Sequence, residues 1–307
     1  MEVVLYSGMF VVSLAALLKG ADWLIGAAEE IGLAAGIPQF VIGVTIVAFG
    51  TSLPELATAI AAVQSGESGL VVSTVAGSNI ANIGLVLGLV AMMGNGITLE
   101  KNIWHSDIPY LWGSAFLMYF ALYDQTLDAA EAVIFLVGIV VFLAYSFKPE
   151  ETDVEVIRHR PGWRSWMFLV LGIVLVWIGA DYTVVSITKL SEIAGIPSEI
   201  IGLSVVSIGT SLPEIIVSVN AARKGKSSIA VGNVLGSNIF NVFVVMGIPA
   251  LLGPLQVSED MISFYIPFML ALTILFGVKA NNQNISRWEG AMFLLFYVYF
   301  MYYLLTN

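Results

Sequence analysis

The sequence predicts an all-α integral membrane protein with ten transmembrane helices, arranged as two inverted-topology repeats of five. Three observations predict this fold: an apolar composition, a series of bilayer-length apolar stretches, and a set of motifs that recurs in both halves. Hydrophobic residues fill 58% of the 307 positions and charged residues only 11%, whereas a soluble domain carries about 25% charged residues. A chain of this composition cannot hide its apolar surface from water, so we expect it in a membrane.

The apolar stretches predict ten spans, because each approaches the length of about 20 residues that crosses the hydrocarbon of a bilayer. They cover residues 1–18, 40–63, 70–93, 108–122, 132–147, 166–178, 200–220, 229–252, 261–278 and 290–305. The first stretch lacks the positive flank of a cleaved signal peptide and is interpreted as a retained span. The remaining residues are too few for a soluble domain, which argues against most soluble enzyme chemistry.

The division of the chain follows from these spans. Residues 1–147 are predicted to form the first five-span repeat, 148–165 a cytoplasmic linker, and 166–307 the second repeat. The absence of cysteine leaves no disulfide or thiolate metal site. The net charge of −10 argues against nucleic acid as a partner. We expect the lipid bilayer and small cations as partners, no cofactor, and a monomer, with the oligomeric state left open.

Basic residues predict the orientation, because Lys and Arg concentrate in cytoplasmic loops. In a ten-span topology Lys189 is the only basic residue that follows an even-numbered span. The others follow odd-numbered spans: Lys19, Lys101, Lys148, Arg158, Arg160, Arg164, Arg223, Lys224, Lys226, Lys279 and Arg287. This pattern predicts a multi-pass protein of the cell membrane with both termini outside.

The strongest organisational feature is a repeat at a constant offset of 159 residues. The hexapeptide GTSLPE occurs at 50–55 and again at 209–214, and GSNI occurs at 77–80 and at 236–239. Shorter matches at 20–22 and 36–38 keep the same offset without a gap. Because five spans precede the second copy, that copy must enter the membrane upside down. Inverted repeats of this kind are typical of secondary transporters, whose substrates bind near the midplane where the repeats meet.

The two hexapeptides place Glu55 and Glu214 inside predicted spans. A carboxylate there costs about 2.5 kcal/mol or more unless it is paired or wetted. No Lys, Arg or His is near either residue in the sequence, so the missing positive charge is predicted to be a ligand. The alternative is that both side chains are protonated and merely join helices by hydrogen bonds.

Pro54 and Pro213 precede these acids and predict a break in each helix. A proline inside a helix lacks an amide hydrogen and clashes with the carbonyl four residues earlier, which would free main-chain oxygens near Thr51 and Thr210. On the following span Ser78 lies four residues before Asn82, and the same spacing separates their counterparts 159 residues later. Side chains with this spacing share one helical face.

Together these groups predict a binding site made only of oxygen. Such a site suits hard cations, and Ca²⁺ accepts roughly six to eight oxygens in flexible geometry. The absence of Cys and of nearby His disfavours soft transition metals. Two ionised Glu neutralise one divalent or two monovalent cations, so one site can hold the two kinds of ion in turn, which antiport requires.

GTSLPE and GSNI, repeated with the Asn that follows, resemble the alpha repeats of the cation/calcium exchanger superfamily, and most of all its prokaryotic sodium/calcium exchangers. The resemblance implies a secondary antiporter that exchanges sodium for calcium by alternating access. It implies a calcium site of Glu55, Glu214, Thr51 and Thr210. It implies sodium sites at Ala48, Thr51, Ser52, Glu55 and Ser78 and at Ser207, Thr210, Ser211, Glu214 and Ser237, with Asn82 and Asn241 in the middle of the cluster.

Two positions depart from the family pattern. Position 241 is Asn where some relatives have Asp, which argues against potassium co-transport, and position 207 is Ser where Ala is expected. A proton/calcium antiporter of the same superfamily is the first alternative, although those proteins usually carry Gly-Asn before their Glu. A passive cation channel is the second, and a membrane-embedded hydrolase lacks a His or Cys beside the acids.

Asp22 and Asp181 occupy equivalent positions near the predicted ends of spans one and six. We interpret them as helix-end or interfacial residues rather than as ligands. The segments 20–36 and 179–195 are interpreted as polar, glycine-containing hinges. Spans one and six are then predicted to slide past a core that carries the GTSLPE and GSNI motifs.

Overall fold

The described part of the chain is helical apart from turns and four strands of two residues each. The computed structural model describes residues 2–93, 96–99, 103–104, 107–147, 161–194, 209 and 211–306. The helices are α1 (Glu2–Ala34), α2 (Gln39–Thr51), α3 (Leu53–Gln64), α4 (Gly69–Met93), α5 (Ile108–Ala121), α6 (Ala129–Ser146), α7 (Trp163–Ile193), α8 (Leu212–Arg223), α9 (Ser227–Leu252), α10 (Met261–Ala280) and α11 (Arg287–Thr306).

Seven of the described helices are long and apolar enough to cross a membrane: α1, α4, α6, α7, α9, α10 and α11. The pair α2 and α3 forms an eighth candidate that bends by 41° at its break. Helix α5 is apolar but shorter. About half of the span predicted over 200–220 lies outside the described residues, and α8 contains most of the described part. The chain is therefore an all-helical, multi-pass membrane protein.

Helices α1 and α7 are longer than the sequence indicated, with 33 and 31 residues. The predicted hinges at 20–36 and 179–195 are wrong, because these segments are helical through Ala34 and Ile193. Their glycines serve packing instead. A Cβ on Gly179 would lie 2.6 Å from the backbone nitrogen of Leu17, and one on Gly172 would lie 2.6 Å from that of Leu24. The two long helices therefore contact each other backbone to backbone.

Local structure repeats at the offset seen in the sequence. Helices α3 and α8 begin and end at positions 159 apart, and both are preceded by a serine outside helical geometry. π-Helical turns cover Asn82–Leu87 in α4 and Asn241–Met246 in α9. The short strands pair crosswise between the halves: Ile97–Thr98 with Asn284–Ile285, and Thr126–Leu127 with Leu255–Gln256.

Helices α4 and α9 form the centre of the molecule. In their most apolar windows 78% and 89% of the residues are buried, against 17% in α1 and 28% in α7. The exposed apolar faces of the outer helices are the surfaces that lipid would cover. The GSNI motifs therefore lie on the two most enclosed helices, where α2 and α8 also pack.

Candidate cation site

Two helix breaks build the site. Ser52 lies between α2 and α3 with φ −91° and ψ 4°, and Ser211 precedes α8 with φ −90° and ψ 5°. Each break is followed by a proline at the second helical residue, Pro54 or Pro213, which offers no amide hydrogen to the turn before it. The acid that follows each proline therefore projects from the first turn of a new helix inside the protein.

The carboxyl groups of Glu55 and Glu214 lie in the interior and interact electrostatically with each other. Their side chains are buried, with residue exposures of 2% and 1%. Both oxygens of Glu55 and Oε2 of Glu214 lack a hydrogen-bond partner among the described residues. Oε1 of Glu214 accepts a bond from Ser52 Oγ at 3.2 Å. Three carboxyl oxygens are thus enclosed without a described donor.

The basic residues with described ion pairs serve other acids. Lys224 pairs with Asp22, Lys226 with Glu29, Lys189 with Glu192 and Lys279 with Glu289. A buried carboxylate without a counter-charge is costly. Among the described residues, these ion pairs therefore leave Glu55 and Glu214 without a basic partner, and the bound cation that the sequence suggests remains a prediction.

The other predicted ligands within the described residues are buried as well. Unpartnered oxygens within the described ranges also belong to Ser78, Ser211, Asn82 and Asn241. Ser237 Oγ lies 3.4 Å from Thr51 Oγ1, and Thr51 Oγ1 donates to the carbonyl of Ala48 at 3.2 Å. Ser207 and Thr210, which were predicted as ligands, lie outside the described residues.

Sequence reasoning missed four asparagine and serine side chains that line this cluster. Thr51 Oγ1 lies 3.2 Å from Asn233 Oδ1, and Asn233 Nδ2 donates to Ser218 Oγ at 2.9 Å. Asn79 and Asn238 cross-link α4 and α9. Asn79 and Asn238 stand inside the repeated GSNI motif, and that repeat was the sequence signal that could have identified them. Asn233 gave none, because its counterpart at the same offset is Thr74.

A cavity of about 140 Å³ reaches Glu55 from one side. It is lined by Pro54, Glu55, Thr58, Trp177, Ala180, Asp181, Val184, Gly209 and Pro213. Asp181 therefore lies on the wall of an opening to the site, inside α7, and its interpretation as a helix-end residue is wrong. Helix α7 continues past Asp181 to Ile193.

Asp22, which corresponds to Asp181 in the first half, is engaged differently. Its Oδ1 accepts a bond from Asn220 Nδ2 at 2.6 Å and lies 2.6 Å from Lys224 Nζ. Asp22 lies inside α1, so the helix-end interpretation is wrong here too: its charge is matched by the end of α8, and the helix continues. Asp181 of α7 thus borders a cavity, whereas the equivalent Asp22 of α1 is bridged to α8.

The chemistry of the donor set suits a hard cation, and its two carboxylates can also take up protons. Carboxylate, hydroxyl and amide oxygens favour ions such as Na⁺ and Ca²⁺. No group of three or more His, Cys, Asp or Glu is present in the described residues, so the site relies on two acids plus neutral oxygens. Neutral ligands bind less tightly than a cage of several carboxylates, which suits an ion that must leave again.

Comparison with known proteins places this chain among membrane exchangers. The family of sodium/calcium exchanger proteins matches residues 5–148 and 164–306. The sodium/calcium exchanger MaX1 of Methanosarcina acetivorans is 33% identical, over 93% of this chain and 94% of that protein. The inner membrane protein YrbG of Escherichia coli is 32% identical, over 95% and 93%. A solved sodium/calcium exchanger from Methanococcus jannaschii superposes with a TM-score of 0.87 at 29% identity, covering 98% of each chain.

Proposed function

Because the chain belongs to the sodium/calcium exchanger family, a group of membrane transporters and not of enzymes, we propose that it is a secondary antiporter that exchanges sodium for calcium by alternating access. One observation carries the proposal. Glu55 and Glu214 are enclosed side by side, and three of their four carboxyl oxygens lack a hydrogen-bond partner in the described structure. A cation supplies the missing charge.

The proposed topology has ten spans in two inverted five-span repeats, 1–147 and 166–307, joined by a cytoplasmic linker at 148–165, with both termini outside. Three features support it. Breaks and π-helical turns recur at the same offset in both halves, and the cross-paired strands recur at an offset one residue shorter. Helix α7 begins at Trp163, three residues before the proposed boundary. An inverted pair of repeats gives the site equivalent approaches from the two sides of the membrane.

The proposed calcium ligands are the carboxylates of Glu55 and Glu214 with main-chain oxygens of Thr51 and Thr210. The sodium sites use the same acids and surrounding oxygens: Ala48, Thr51, Ser52 and Ser78, and Ser207, Thr210, Ser211 and Ser237. Asn82 and Asn241 face the middle of the cluster. These assignments are supported by the buried oxygens without hydrogen-bond partners on those proposed ligands that the structure describes.

Charge explains why one site can serve both ions. Two ionised Glu balance one Ca²⁺ or two Na⁺, and any further Na⁺ would rest on neutral oxygens and leave readily. Calcium and sodium therefore compete for the same carboxylates. If the site must be refilled before it can face the first side of the membrane again, each ion that leaves has to be replaced by another. Transport of one ion is then coupled to transport of the other, which distinguishes exchange from passive flow.

Alternating access is supported by the unequal surroundings of the two repeats. The cavity beside α7 reaches Glu55, whereas on the α1 side Asp22 joins Asn220 and Lys224 of the α8 region. We infer that α1 and α7 move together past α2, α3, α8 and the central helices, so that the bridge opens when the cavity closes.

Calcium uptake into proteoliposomes under an imposed sodium gradient tests the function. The proposal expects uptake that requires internal sodium and stops when the gradient collapses. A proton gradient applied without sodium is the control: uptake driven by it would favour the proton/calcium antiporter. Calcium entry with no gradient of either counter-ion, in proportion to the membrane potential, would favour the channel.

A further inference from the structure

Two buried asparagines, Asn79 and Asn238, close a hydrogen-bond ring between α4 and α9, and two further buried asparagines, Asn82 and Asn241, donate to it. Asn82 Nδ2 donates to Asn238 Oδ1 at 2.9 Å, and Asn241 Nδ2 donates to Asn79 Oδ1 at 3.1 Å. Asn79 Nδ2 donates to the backbone carbonyl of Asn238 at 3.2 Å, and Asn238 Nδ2 to that of Asn79 at 3.3 Å. Each asparagine is at most 3% exposed, so water does not compete for these bonds.

The backbone carbonyls fix the direction of every amide in the ring. A carbonyl oxygen only accepts, so Asn79 and Asn238 must turn their Nδ2 groups toward each other's main chain. Their Oδ1 atoms are then presented to the remaining two side chains. Asn241 and Asn82 can meet those oxygens only with Nδ2. The orientation of all four amides therefore follows from two backbone groups.

The ring leaves one group of each outer asparagine uncommitted. Asn82 donates its Nδ2 to Asn238 and Asn241 donates its Nδ2 to Asn79, so each keeps only Oδ1, and both oxygens are buried without a partner among the described residues. An amide turned the other way would offer hydrogens, which repel a cation. The π-helical turns that begin at Asn82 and Asn241 pack against α8 and α3, the helices that carry the two acids.

We propose that Asn79 and Asn238 are positioning residues for the transported cation: each holds the amide of the opposite half, Asn241 or Asn82, with its oxygen toward the site. This inference rests on the proposed exchange function and deepens it. The pairing is crossed. Asn79 acts on Asn241 of the other half, and not on Asn82, which is three residues away on its own helix.

A double-mutant cycle tests the crossing. Sodium-driven calcium uptake is measured in proteoliposomes for the wild type, Asn79→Ala, Asn241→Ala, Asn82→Ala, and the doubles that combine Asn79→Ala with each of the other two. Losing the hydrogen bond should raise the apparent KM for calcium by about fivefold in Asn79→Ala, with a smaller change in the maximal rate. Adding Asn79→Ala to Asn241→Ala should change the KM little further, because the oxygen that Asn79 orients is already absent. Adding Asn79→Ala to Asn82→Ala should multiply the effects that the two single substitutions have on the KM.

Size-exclusion profiles and melting temperatures of the purified variants identify folding defects. Where Asn79→Ala does not fold, Asn238→Ala supplies the mirrored cycle, which must couple to Asn82 and not to Asn241. Equal coupling to both partners, or a lower melting temperature and maximal rate with unchanged KM, would overturn the positioning role and leave a merely structural ring. A wild type without sodium-driven uptake would overturn the exchange function instead, so the two failures are distinguishable.

Discussion

Ser52 donates a hydrogen bond across the molecule to Glu214, with 3.2 Å between Ser52 Oγ and Glu214 Oε1. The equivalent pair is not formed: Ser211 Oγ and both oxygens of Glu55 have no partner within the described structure. The two half-sites are therefore alike in sequence and unlike in bonding. One carboxyl oxygen of Glu214 accepts a hydrogen bond from the protein, whereas Glu55 borders the cavity. We therefore expect Glu55 to depend more on a bound ion.

This asymmetry predicts unequal effects for two matched serine variants. Ser52→Ala should lower the free energy of unfolding in the absence of cations by about 1–3 kcal/mol, because it leaves a buried carboxyl oxygen without its donor. Ser211→Ala removes a hydroxyl that has no described partner and should change stability less. Thermal unfolding of the detergent-solubilised proteins measures both. Equal losses would show that the observed bond contributes nothing specific.

Neutralising either acid should nearly abolish calcium transport while leaving a folded membrane protein. Removing one partner of a buried charge pair typically costs about 3–5 kcal/mol, so Glu55→Gln and Glu214→Gln should lose more than about 100-fold in calcium flux. The exposed Glu67, in the loop before α4, supplies the control variant Glu67→Gln, which should transport normally. Calcium flux like that of the wild type in both site variants would refute the assignment of the acids.

Crosslinking should separate the moving parts from the fixed ones. The chain has no cysteine, so introduced thiols are unique. A bond between Asp22→Cys and Asn220→Cys would tie α1 to α8 and should block exchange while calcium binding persists, with activity restored by a reductant. The native ion pair here is about 40% exposed on each side, so its loss alone should cost under about 1 kcal/mol.

The matched control for that crosslink joins α1 to α7. Thr183 Oγ1 donates to Ser13 Oγ at 2.9 Å, so Ser13→Cys with Thr183→Cys places two thiols in reach of each other. If the two long helices move as a unit, this second bond leaves exchange intact. Blocked exchange with the α1–α7 bond, or normal exchange with the α1–α8 bond, would place the motion elsewhere.

Asn233 should influence the sodium side of the cycle through Thr51. Its Oδ1 lies 3.2 Å from Thr51 Oγ1, and Ser218 fixes the other end of the amide. Asn233→Ala removes one of the oxygens that hold the Thr51 hydroxyl in place, and we expect the sodium concentration for half-maximal exchange to rise more than the calcium KM. Thr74→Ala, at the equivalent position of α4, is the control and should change neither value as much.

The duplicated motifs predicted the helix breaks and the buried acids because they encode local chemistry. A proline before an acid within an apolar stretch predicts a broken helix with a buried carboxylate, and the described break at Ser52 has that form. Burial and the absence of a basic partner also follow from the sequence, since no charged neighbour stands near Glu55. The assignment of particular oxygens to particular ions remains a prediction.

What the sequence did not predict depends on contacts between distant residues. The helices that contain Asp22 and Asp181 are longer than the apolar stretches from which they were predicted, because a charge ends an apolar run in the sequence. A charge does not end a helix when the acid meets a partner such as Lys224 or borders an opening. The asparagine ring was missed because hydrogen-bond direction is set by a backbone carbonyl on another helix. Asn233 was missed because the repeat comparison hides residues that differ between the halves.

The most direct measurement of the central claim is equilibrium binding of radioactive calcium to the purified, full-length chain at increasing sodium. If Glu55 and Glu214 form one site that holds the two ions in turn, sodium will displace calcium completely, and the displacement curve will be steeper than for a single competing ion. Proton competition at constant sodium serves as the comparison. Calcium that stays bound at saturating sodium, or that binds unchanged when both acids are replaced by glutamine, would contradict the account.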